Sequence, residues 1–254
     1  MSEQWRFLQT GYGSAFSNMA IDRAILVANS EGRVPPTVRF YGWRPSAISL
    51  GYFQSISEEV DLKACQHHGV DVVRRITGGG AVFHDSELTY SIVVPESHPE
   101  ISRNILESYG RICGALIRGF KEIGIMSTYA PINDIIVEGK KISGNAQTRK
   151  MNTVLQHGTI LMDVDVETMF SLLQVPNEKI KDKLIADVKQ RVTSIKHVLG
   201  RMLSFEEVAV AMKTGFEDEF AVELVAGELS KEERVLARRF EDECFGQETW
   251  NFLR

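Results

Sequence analysis

The sequence predicts an α+β fold in which a mixed β-sheet core is packed by helices. Strand-like apolar segments fall in the first two thirds of the chain, whereas helical periodicity dominates the last third. This segregation favours an α+β fold over a doubly wound sheet, in which strands and helices alternate. A chain of 254 residues can bury a substantial core. No internal repeat or low-complexity segment marks a boundary, so we predict one domain over residues 1–254.

Apolar spacing and turn residues predict the individual elements. Helical spacing predicts helices at 14–29, 57–67 and 103–123. Runs bounded by turn residues predict strands at 37–41, 47–53, 70–75, 88–94, 134–137, 141–148 and 153–162. From Asp165 onward the pattern is helical, and two capping boxes mark helix starts, Ser204 with Glu207 and Ser230 with Glu233.

Composition and charge exclude several classes of protein. The hydrophobic content of 43% and charged content of 25% are typical of a soluble globular enzyme. No apolar run has the length of a membrane span, and the N-terminus lacks a secretory signal. Three widely spaced cysteines without a CxxC motif argue against disulfides and structural zinc. We therefore expect a cytoplasmic protein without a membrane partner, and the net charge of −5 argues against a nucleic-acid partner.

The first candidate site is a glycine-rich stretch after a predicted strand. It reads Arg74-Arg75-Ile76-Thr77-Gly78-Gly79-Gly80-Ala81-Val82-Phe83-His84-Asp85. Three glycines expose backbone N–H groups that suit phosphate, and two arginines add bidentate donors. The stretch is neither a P-loop nor a dinucleotide fingerprint, because no Lys-Ser/Thr follows the glycines and no GxGxxG opens a helix. A flexible hairpin turn explains the glycines alone equally well.

The second candidate site is a lysine hairpin preceded by Asn133-Asp134. It reads Gly139-Lys140-Lys141-Ile142-Ser143-Gly144-Asn145-Ala146-Gln147. A lysine at a strand start, backed by small residues, can place one positive charge against a carboxylate and the phosphate that it attacks. Taken alone, a solvated lysine pair in a turn is the simpler interpretation.

Histidines and cysteines give no separate site. No histidine pair has the helical spacing of a zinc hydrolase, and no GxSxG elbow is present. Cys65, Cys113 and Cys244 fall in helical patterns, so we expect packing or surface thiols rather than nucleophiles.

Together, and in this order, the two stretches resemble the lipoate branch of the biotin/lipoate protein ligase superfamily. The branch signature Arg-Arg-x-Thr/Ser-Gly-Gly-Gly-Ala-Val-Phe-His-Asp matches Arg74 to Asp85, and Lys-Ile/Val-Ser-Gly-Ser/Asn-Ala matches Lys141 to Ala146. Further landmarks stand at 133–134, 156–161, 191–195 and 250–252. The resemblance covers nearly the whole chain, and it implies the fold of a biotin/lipoate protein ligase catalytic domain.

The resemblance implies an ATP-dependent lipoate–protein ligase. In such ligases lipoate or octanoate reacts with ATP to give the acyl-adenylate and pyrophosphate, and a lysine of a lipoyl-carrier domain then displaces AMP. Lys141 would be the catalytic residue that contacts both the acyl carboxylate and the α-phosphate. The implied acyl-binding residues are Arg75, Gly78, Gly79, Gly80, His84, Lys141, Ala146 and His157. The implied ATP-binding and adenylate-binding residues are Arg75, Gly80, Ala81, Val82, Phe83, Asn133, Asp134 and Lys141, with Asp134 beside a magnesium ion, Mg2+.

The implied protein partners are lipoyl domains of 2-oxoacid dehydrogenase E2 subunits and the glycine-cleavage H protein. Ligases that work as one polypeptide carry a small accessory domain beyond the Trp-Asn-Phe landmark, whereas this chain stops at Arg254. We therefore expect that activation uses a separate accessory protein. As a further hypothesis, a basic rim steers an acidic carrier domain, and its members are Arg74, Lys140, Arg149 and Lys150.

Two other functions are alternatives. Octanoyl-carrier-protein-dependent octanoyltransferases and lipoyl amidotransferases share the fold, and they use a cysteine shortly before the lysine hairpin. Positions 126–131 contain no cysteine, so a thioester route lacks its nucleophile and the ligase is favoured. The other alternative is a non-catalytic lipoate binder, which the intact lysine and glycine stretch make less favoured.

Overall fold

An eight-stranded mixed sheet forms the centre of the computed structural model, which describes residues 2–174 and 178–254. Its strands, in spatial order, are β11 (Val222–Ala226), β1 (Glu3–Gly13), β2 (Thr37–Trp43), β6 (Glu87–Pro95), β10 (Thr153–Leu161), β9 (Lys140–Lys150), β8 (Asp134–Val137) and β7 (Thr128–Ala130). The β1 strand is parallel to both of its neighbours, and the other neighbouring strands are antiparallel.

A smaller sheet of three strands lies beside the large one. Its order is β4 (Asp71–Arg74), β3 (Ala47–Leu50) and β5 (Val82–His84), with β3 parallel to β4 and antiparallel to β5. The connection from β4 to β5 carries the three glycines. We call residues 76–81 the glycine loop.

Ten α-helices are present in the part of the chain that the structure describes. They are α1 (Ala15–Ser30), α2 (Ile56–Glu59), α3 (Leu62–His68), α4 (Ile105–Glu122), α5 (Val166–Leu172), α6 (Glu178–Arg191), α7 (Ile195–Leu199), α8 (Phe205–Phe220), α9 (Lys231–Phe240) and α10 (Glu248–Asn251). A π-helical turn, Glu241–Phe245, follows α9. None of these helices has the length and apolarity required to cross a membrane.

Helices cover both faces of the large sheet because its buried strands are apolar on both sides. On β6, Leu88, Tyr90 and Ile92 belong to the core beneath α4 and α8, whereas Val93 belongs to the core beneath α1 and α9. Since successive side chains of a strand point to opposite faces, Thr89 shares the α1 face with Val93. The buried polar residues Glu87, Thr89 and Ser91 therefore lie on the α1 side.

Glycines allow α4 and α8 to approach each other closely. A Cβ atom on Gly215 would lie 2.2 Å from the Ala115 carbonyl oxygen, and one on Gly119 would lie 2.6 Å from Met212 Sδ. The two backbones consequently pack without intervening side chains at this crossing. This close packing stabilises the face of the sheet that lies opposite the α1 side.

The predicted α+β fold and most helices are confirmed. The 103–123 prediction corresponds to α4, and the helix predicted from 14 begins after Ser14, whose Oγ accepts a hydrogen bond from Ser17 N–H at 3.2 Å. Both capping boxes are present, at the starts of α8 and α9. Local signals of this kind survive because the caps satisfy backbone N–H groups regardless of tertiary contacts.

Three sequence-based assignments differ from the structure. The helix predicted at 57–67 is two short helices, because Val60 pairs with Leu173 and Asp61 caps α3 by accepting from Ala64 N–H. The strand predicted at 47–53 ends at Leu50, since Tyr52 N–H bonds the Thr77 carbonyl instead. The strands β1, β5, β7 and β11 were not predicted. Two of them, β1 and β11, pair with each other although they lie near opposite ends of the sequence. No hairpin turn connects them, so no local sequence signal predicts the pairing.

Candidate active site

A cavity of about 310 Å³ lies on the α1 side, between β9, β10 and the segment that follows the glycine loop. Small-molecule sites commonly enclose about 300–1,000 Å³. Apolar side chains on its walls include Met19, Trp43, Val82, Leu161 and Val192. The arrangement fits a mostly apolar ligand of modest size.

The glycine loop forms one wall through unusually close backbone packing. A Cβ atom on Gly51 would lie 1.9 Å from the Gly79 carbonyl oxygen, and Gly79 itself has a φ of +100° that L side chains rarely adopt. Both positions therefore require glycine. Gly79 and Gly80 line the cavity, together with Ala81, Val82 and Phe83.

Arg75 holds the glycine loop in place with its whole guanidinium group. Nη2 donates to the carbonyl oxygens of Gly78 and Gly80, each at 3.0 Å, and Nη1 donates to the carbonyl oxygen and the hydroxyl of Ser49, each at 2.7 Å. Nε donates to Thr77 Oγ1 at 3.3 Å. An arginine has five N–H donors, and these bonds use all of them. Burial lowers the pKa of the Arg75 guanidinium to about 10.

The predicted phosphate contact of Arg75 therefore requires an exchange of bonds. Arg75 is 5% exposed, and each of its donors already has a protein acceptor. Its observed contacts shape the loop, whose own N–H groups remain candidates for binding an anion. A direct contact between Arg75 and phosphate stays a prediction.

Lys141 places a primary amine at the edge of the same cavity. Its side chain is 40% exposed, and Nζ lies 2.8 Å from Asp134 Oδ1 on the neighbouring strand. The amine also lies over Gly144, where an added Cβ atom would be 2.6 Å from both Cε and Nζ. The Lys141 carbonyl accepts from Thr193 N–H at 2.8 Å, which ties β9 to the 191–195 landmark.

Asn133 and Asn145 close the hairpin next to Lys141. Asn145 Nδ2 donates to the Asn133 carbonyl at 2.8 Å, and Asn133 Nδ2 donates to the Asn145 carbonyl. Tyr90 donates its hydroxyl hydrogen to Asn145 Oδ1 at 2.6 Å, so the buried Asn145 side chain is held from two directions. A Cβ atom on Gly158 would lie 2.2 Å from Asn145 Oδ1, which explains the glycine there.

The residues present fit a magnesium ion only in part. Within residues 2–174 and 178–254, no three His, Cys, Asp or Glu side chains come together as metal ligands. Asp134 supplies one carboxylate, and its Oδ1 already faces the Lys141 amine at 2.8 Å. Magnesium usually combines one or two carboxylates with substrate phosphates. The donor set thus suits an ion that arrives with a nucleotide, and magnesium at Asp134 stays a prediction.

His84 lines the cavity as part of a buried chain of hydrogen bonds. Its Nδ1 contacts Glu87 Oε1 at 2.8 Å, its Nε2 contacts Ser49 Oγ at 2.7 Å, and its ring stacks on Trp43 at 4.0 Å between centroids. Trp43 Nε1 in turn donates to Thr89 Oγ1 at 2.7 Å. The imidazole is therefore fixed on its edge and on its face.

His157 lines the cavity from β10 and has a comparable set of partners. Its Nε2 contacts Thr77 Oγ1 at 2.8 Å, and its Nδ1 contacts Asp22 Oδ2 at 3.3 Å. Burial lowers the pKa of His157 against the opposing effect of Asp22. Burial by itself would raise the pKa of Asp22, but the Arg39 guanidinium, 2.7 Å away, and the bonds from His157 and Ser91 bring it below its ordinary value.

The structure brings the predicted site residues together. Residues that line the cavity are Arg75, Gly79, Gly80, Ala81, Val82, Phe83, His84, Asn133, Lys141, Ala146 and His157. Gly78 and Asp134 reach the site through their contacts with Arg75 and Lys141. Sequence reasoning missed Asp22, Arg39, Ser49 and Glu87, which lie at the wall of the cavity or one contact behind it, and it gave Asn145 of the lysine hairpin no role. The only available signal was a charged Asp22 within the apolar pattern of α1.

The predicted basic rim is wrong for Arg74. Arg74 is fully buried, and it donates to the carbonyl oxygens of Gly51, Gln54 and Asn251. Arg149 is half-buried and donates to the carbonyl oxygens of Ser102 and Arg103. The Arg74 guanidinium group joins segments of the chain instead of facing a partner, and a steering role for the other three residues stays a prediction.

No thiol reaches the cavity, although all three cysteines lie in the described residues. Burial raises the pKa of the Cys113 thiol to about 12 and that of the Cys65 thiol to about 11. Cys244 is partly exposed and contacts Arg23 on the far side of α1. A low-pKa, accessible thiolate is what a nucleophilic cysteine needs, and none of the three meets that requirement.

The chain is similar to known proteins in both sequence and fold. The family described as the lipoyl protein ligase A/B catalytic domain matches residues 14–217. The chain is similar to the octanoyltransferase LipM of Geobacillus kaustophilus, with 39% identity over 275 aligned residues that cover 99% of both chains. Its fold is similar to that of a bi-partite lipoate protein ligase from Thermoplasma acidophilum, with a TM-score of 0.90, 28% identity, and coverage of 99% of this chain and 98% of that one.

A second solved structure, lipoate-protein ligase A bound with ATP, is similar with a TM-score of 0.85 and 26% identity over 98% of each chain. The catalytic-domain fold predicted from the resemblance is thereby confirmed, whereas the choice between ligase and octanoyltransferase divides the relatives themselves. The chain belongs to the lipoyl protein ligase A/B catalytic-domain family and is an enzyme of the lipoate ligase/transferase type.

Proposed function

We propose that this enzyme transfers an octanoyl or lipoyl group to a lysine of a carrier domain, and that the group arrives as the mixed anhydride with AMP. The observation that carries the proposal is one accessible amine, Lys141 Nζ, at the edge of an apolar cavity whose lining includes no thiol among the described residues. A cation at that position suits an acyl-phosphate, and the apolar walls suit the acyl tail.

The chemistry follows from the charges. A carboxylate and a polyphosphate repel each other, so adenylate formation requires a group that neutralises both. Lys141 carries that positive charge, and the exposed N–H groups of the glycine loop add partial positive charge opposite it. In the transfer step the carrier's amine nitrogen bonds to the acyl carbon, the bond from that carbon to the phosphate oxygen breaks, and AMP leaves with the electron pair. The amine loses its proton, so an amide is formed without an enzyme-bound acyl group.

The substrates and partners of the proposed reaction are lipoate or octanoate, ATP, and a lipoyl domain. A structure similar to this chain is described as a bi-partite ligase studied with its E2 lipoyl domain, and another as bound with ATP. By analogy we propose an E2 lipoyl domain or the glycine-cleavage H protein as acceptor, and a small accessory protein as a requirement for activation. Magnesium would enter with ATP.

A second candidate is transfer of octanoate from an octanoyl-carrier protein. It is favoured by the name of a relative at 39% identity, octanoyltransferase LipM. A covalent version of this route needs a thiolate beside the acyl carbon. The buried Cys113, whose pKa burial raises to about 12, is the cysteine of a helix core and not of the cavity.

One assay separates the two candidates. The enzyme is incubated with a lipoyl domain and one of three donors: synthetic octanoyl-AMP, octanoate with ATP, or octanoyl-carrier protein without nucleotide. We expect acylation, detected as a mass increase of the lipoyl domain, from octanoyl-AMP. Transfer from octanoyl-carrier protein alone, with a hydroxylamine-sensitive adduct on the enzyme, would overturn the proposal in favour of the second candidate. A Cys113→Ala variant that kept full transfer from octanoyl-AMP would agree with the proposal.

A further inference from the structure

Arg75 connects two similar chains of hydrogen bonds, and each chain ends on an imidazole in the cavity wall. Nη1 donates to Ser49 Oγ at 2.7 Å, and Nε donates to Thr77 Oγ1 at 3.3 Å. The Ser49 hydroxyl contacts His84 Nε2, and the Thr77 hydroxyl contacts His157 Nε2. One guanidinium group therefore faces both histidines across a single hydroxyl each.

The direction of the first chain follows from its two ends. Trp43 Nε1 can only donate, so the Thr89 hydroxyl accepts from it and donates its own hydrogen to Glu87 Oε1. Glu87 Oε1 is thus an acceptor, and His84 Nδ1, 2.8 Å away, must carry a hydrogen. At the other end Arg75 can only donate, so Ser49 Oγ accepts from it. Among the described residues His84 Nε2 is the one acceptor that the buried Ser49 hydroxyl hydrogen contacts, and an unprotonated Nε2 satisfies it.

The second chain has the same direction. Asp22 accepts from Arg39 Nη1 at 2.7 Å, and its pKa lies below the ordinary value despite burial because of Arg39 and its hydrogen bonds. As a carboxylate it can only accept, so His157 Nδ1 carries the hydrogen that faces Asp22 Oδ2. Thr77 accepts from Arg75, and His157 Nε2 is the one acceptor among the described residues that its buried hydroxyl hydrogen contacts, so an unprotonated Nε2 satisfies that hydrogen.

We propose that Arg75 is a positioning residue that, through Ser49 and Thr77, holds His84 and His157 as neutral imidazoles protonated on Nδ1. In this state all four ring nitrogens are occupied by protein groups. The rings then present only faces and C–H edges to the cavity, so two histidines act as apolar wall for the acyl tail. Because Arg75 also binds the Gly78 and Gly80 carbonyls, the same residue links the tail region of the cavity to the loop proposed to bind the adenylate.

The charged groups around the two rings act in both directions, because each ring faces one carboxylate and, across one hydroxyl, the Arg75 guanidinium. His84 faces Glu87 and, across Ser49, Arg75. His157 faces Asp22, Arg75 across Thr77, and, behind Asp22, Arg39 and the Tyr41 hydroxyl. The positive charge of Arg75 and the other imidazole both oppose protonation of His157, as burial does.

The role of the rings as acyl wall rests on the proposed function, whereas the tautomers do not. The first measurement is therefore a nitrogen NMR spectrum of histidine-labelled enzyme without substrate. His84→Gln and His157→Gln variants assign the two rings among the six histidines. We expect protonated Nδ1 and unprotonated Nε2 for both rings at pH 7. A hydrogen on Nε2 of either ring would overturn the proposal.

The second measurement removes each hydroxyl and follows octanoate binding. Ser49→Ala removes the donor to His84 Nε2, and Thr77→Val removes the donor to His157 Nε2. Each variant leaves a buried acceptor without a partner, and we expect water to enter the wall to satisfy it. We expect the tautomer of the matching ring to become mixed and octanoate affinity to fall about tenfold, with a new pH dependence of binding near the ordinary pKa of histidine. Ser127→Ala is the matched control, because Ser127 is buried and its hydroxyl has no partner among the described residues.

The outcomes are distinguishable. Unchanged tautomers and unchanged affinity in Ser49→Ala and Thr77→Val would overturn the role of Arg75 and its hydroxyls. If the wild-type enzyme shows the expected tautomers but binds neither octanoate nor octanoyl-AMP, the positioning by Arg75 stands and the proposed function fails.

Discussion

Two regions of the site, the buried wall and the exposed edge of the cavity, differ in how firmly the protein fixes their cationic side chains. Arg75 is almost completely buried and gives all five donors to protein acceptors, whereas Lys141 is 40% exposed and has one ion pair, to Asp134. A buried, fully satisfied guanidinium shapes structure, because moving it leaves several polar groups without partners. A half-exposed amine is free to change partners. The cavity wall around Arg75 therefore keeps a fixed shape, whereas the amine at the cavity edge, Lys141, can exchange its partner for substrate.

The largest effect is expected for Lys141→Ala, which tests whether the amine at the cavity edge acts on substrate. We expect acyl transfer to fall at least about a thousandfold, as when a main electrostatic group at a transition state is removed, with the unfolding transition nearly unchanged. The assay is transfer from octanoyl-AMP to a lipoyl domain, with thermal unfolding in parallel. Lys231→Ala is the control, since Lys231 is an exposed lysine that does not line the cavity. Normal activity of Lys141→Ala would refute the assigned role.

Arg75→Lys tests the structural role of the wall, and its main effect is expected on stability. Lysine has three donors on one nitrogen and cannot reproduce five bonds in a planar fork, so we expect the free energy of unfolding to fall by about 3–5 kcal/mol. Urea denaturation measures it. The control is Arg118→Lys, an exposed arginine paired with Glu219, for which little change is expected. Equal stability of the two variants would contradict the structural role of Arg75.

Gly144→Ala tests how strongly activity depends on the position of the Lys141 amine at the cavity edge. The added methyl would meet Cε and Nζ of Lys141 at 2.6 Å, so the flexible amine must move while the backbone stays. We expect about tenfold lower activity, the size of a small displacement of a catalytic group, and a stability close to that of the wild type. Gly110→Ala is the control, because its methyl would make an ordinary contact with Tyr129 at 3.7 Å. Activity is measured as above, and equal activity of both variants would disprove the steric placement of Lys141.

The smallest expected effect is the pH dependence of stability that His157 confers. Its pKa in the folded protein is below the ordinary 6.5, because burial disfavours the charged form. The unfolded chain therefore binds more protons below that pH, and stability falls as the pH drops, by at most about 1.4 kcal/mol per pH unit. Asp22 adds a loss of the same sign only as the pH falls below its ordinary 3.8.

The measurement is the free energy of unfolding in urea between pH 7.5 and 5.5. The slope should become shallower in His157→Gln and remain unchanged in His68→Gln, whose ring is exposed at the end of α3. A His157→Gln variant with the wild-type slope would show that this ring does not contribute.

The parts of the site that stand in local motifs could be predicted from the sequence. The parts that depend on contacts between residues distant in sequence could not. Lys141 and the glycine loop stand in recognisable stretches, and the structure places them around one cavity. Asp22 lies 135 positions from His157, its partner, and no local pattern records that pairing. The burial of Arg74 could not be predicted from its charge, because its acceptors are main-chain carbonyls, which any sequence supplies.

The pairing of Trp250 and Asn251 with the strand before the glycine loop has a consequence for how the enzyme is made. Trp250 Nε1 donates to the Arg74 carbonyl at 2.9 Å, and Asn251 Oδ1 accepts from the Arg74 N–H at 2.8 Å, across 176 and 177 positions of sequence. A ribosome delivers these residues long after β4. The nascent chain can pair β3 with β4 early, but the outer edge of β4 stays unpaired until residues 250 and 251 have been made. Competence to bind substrate should therefore arise only after that stretch has left the ribosome.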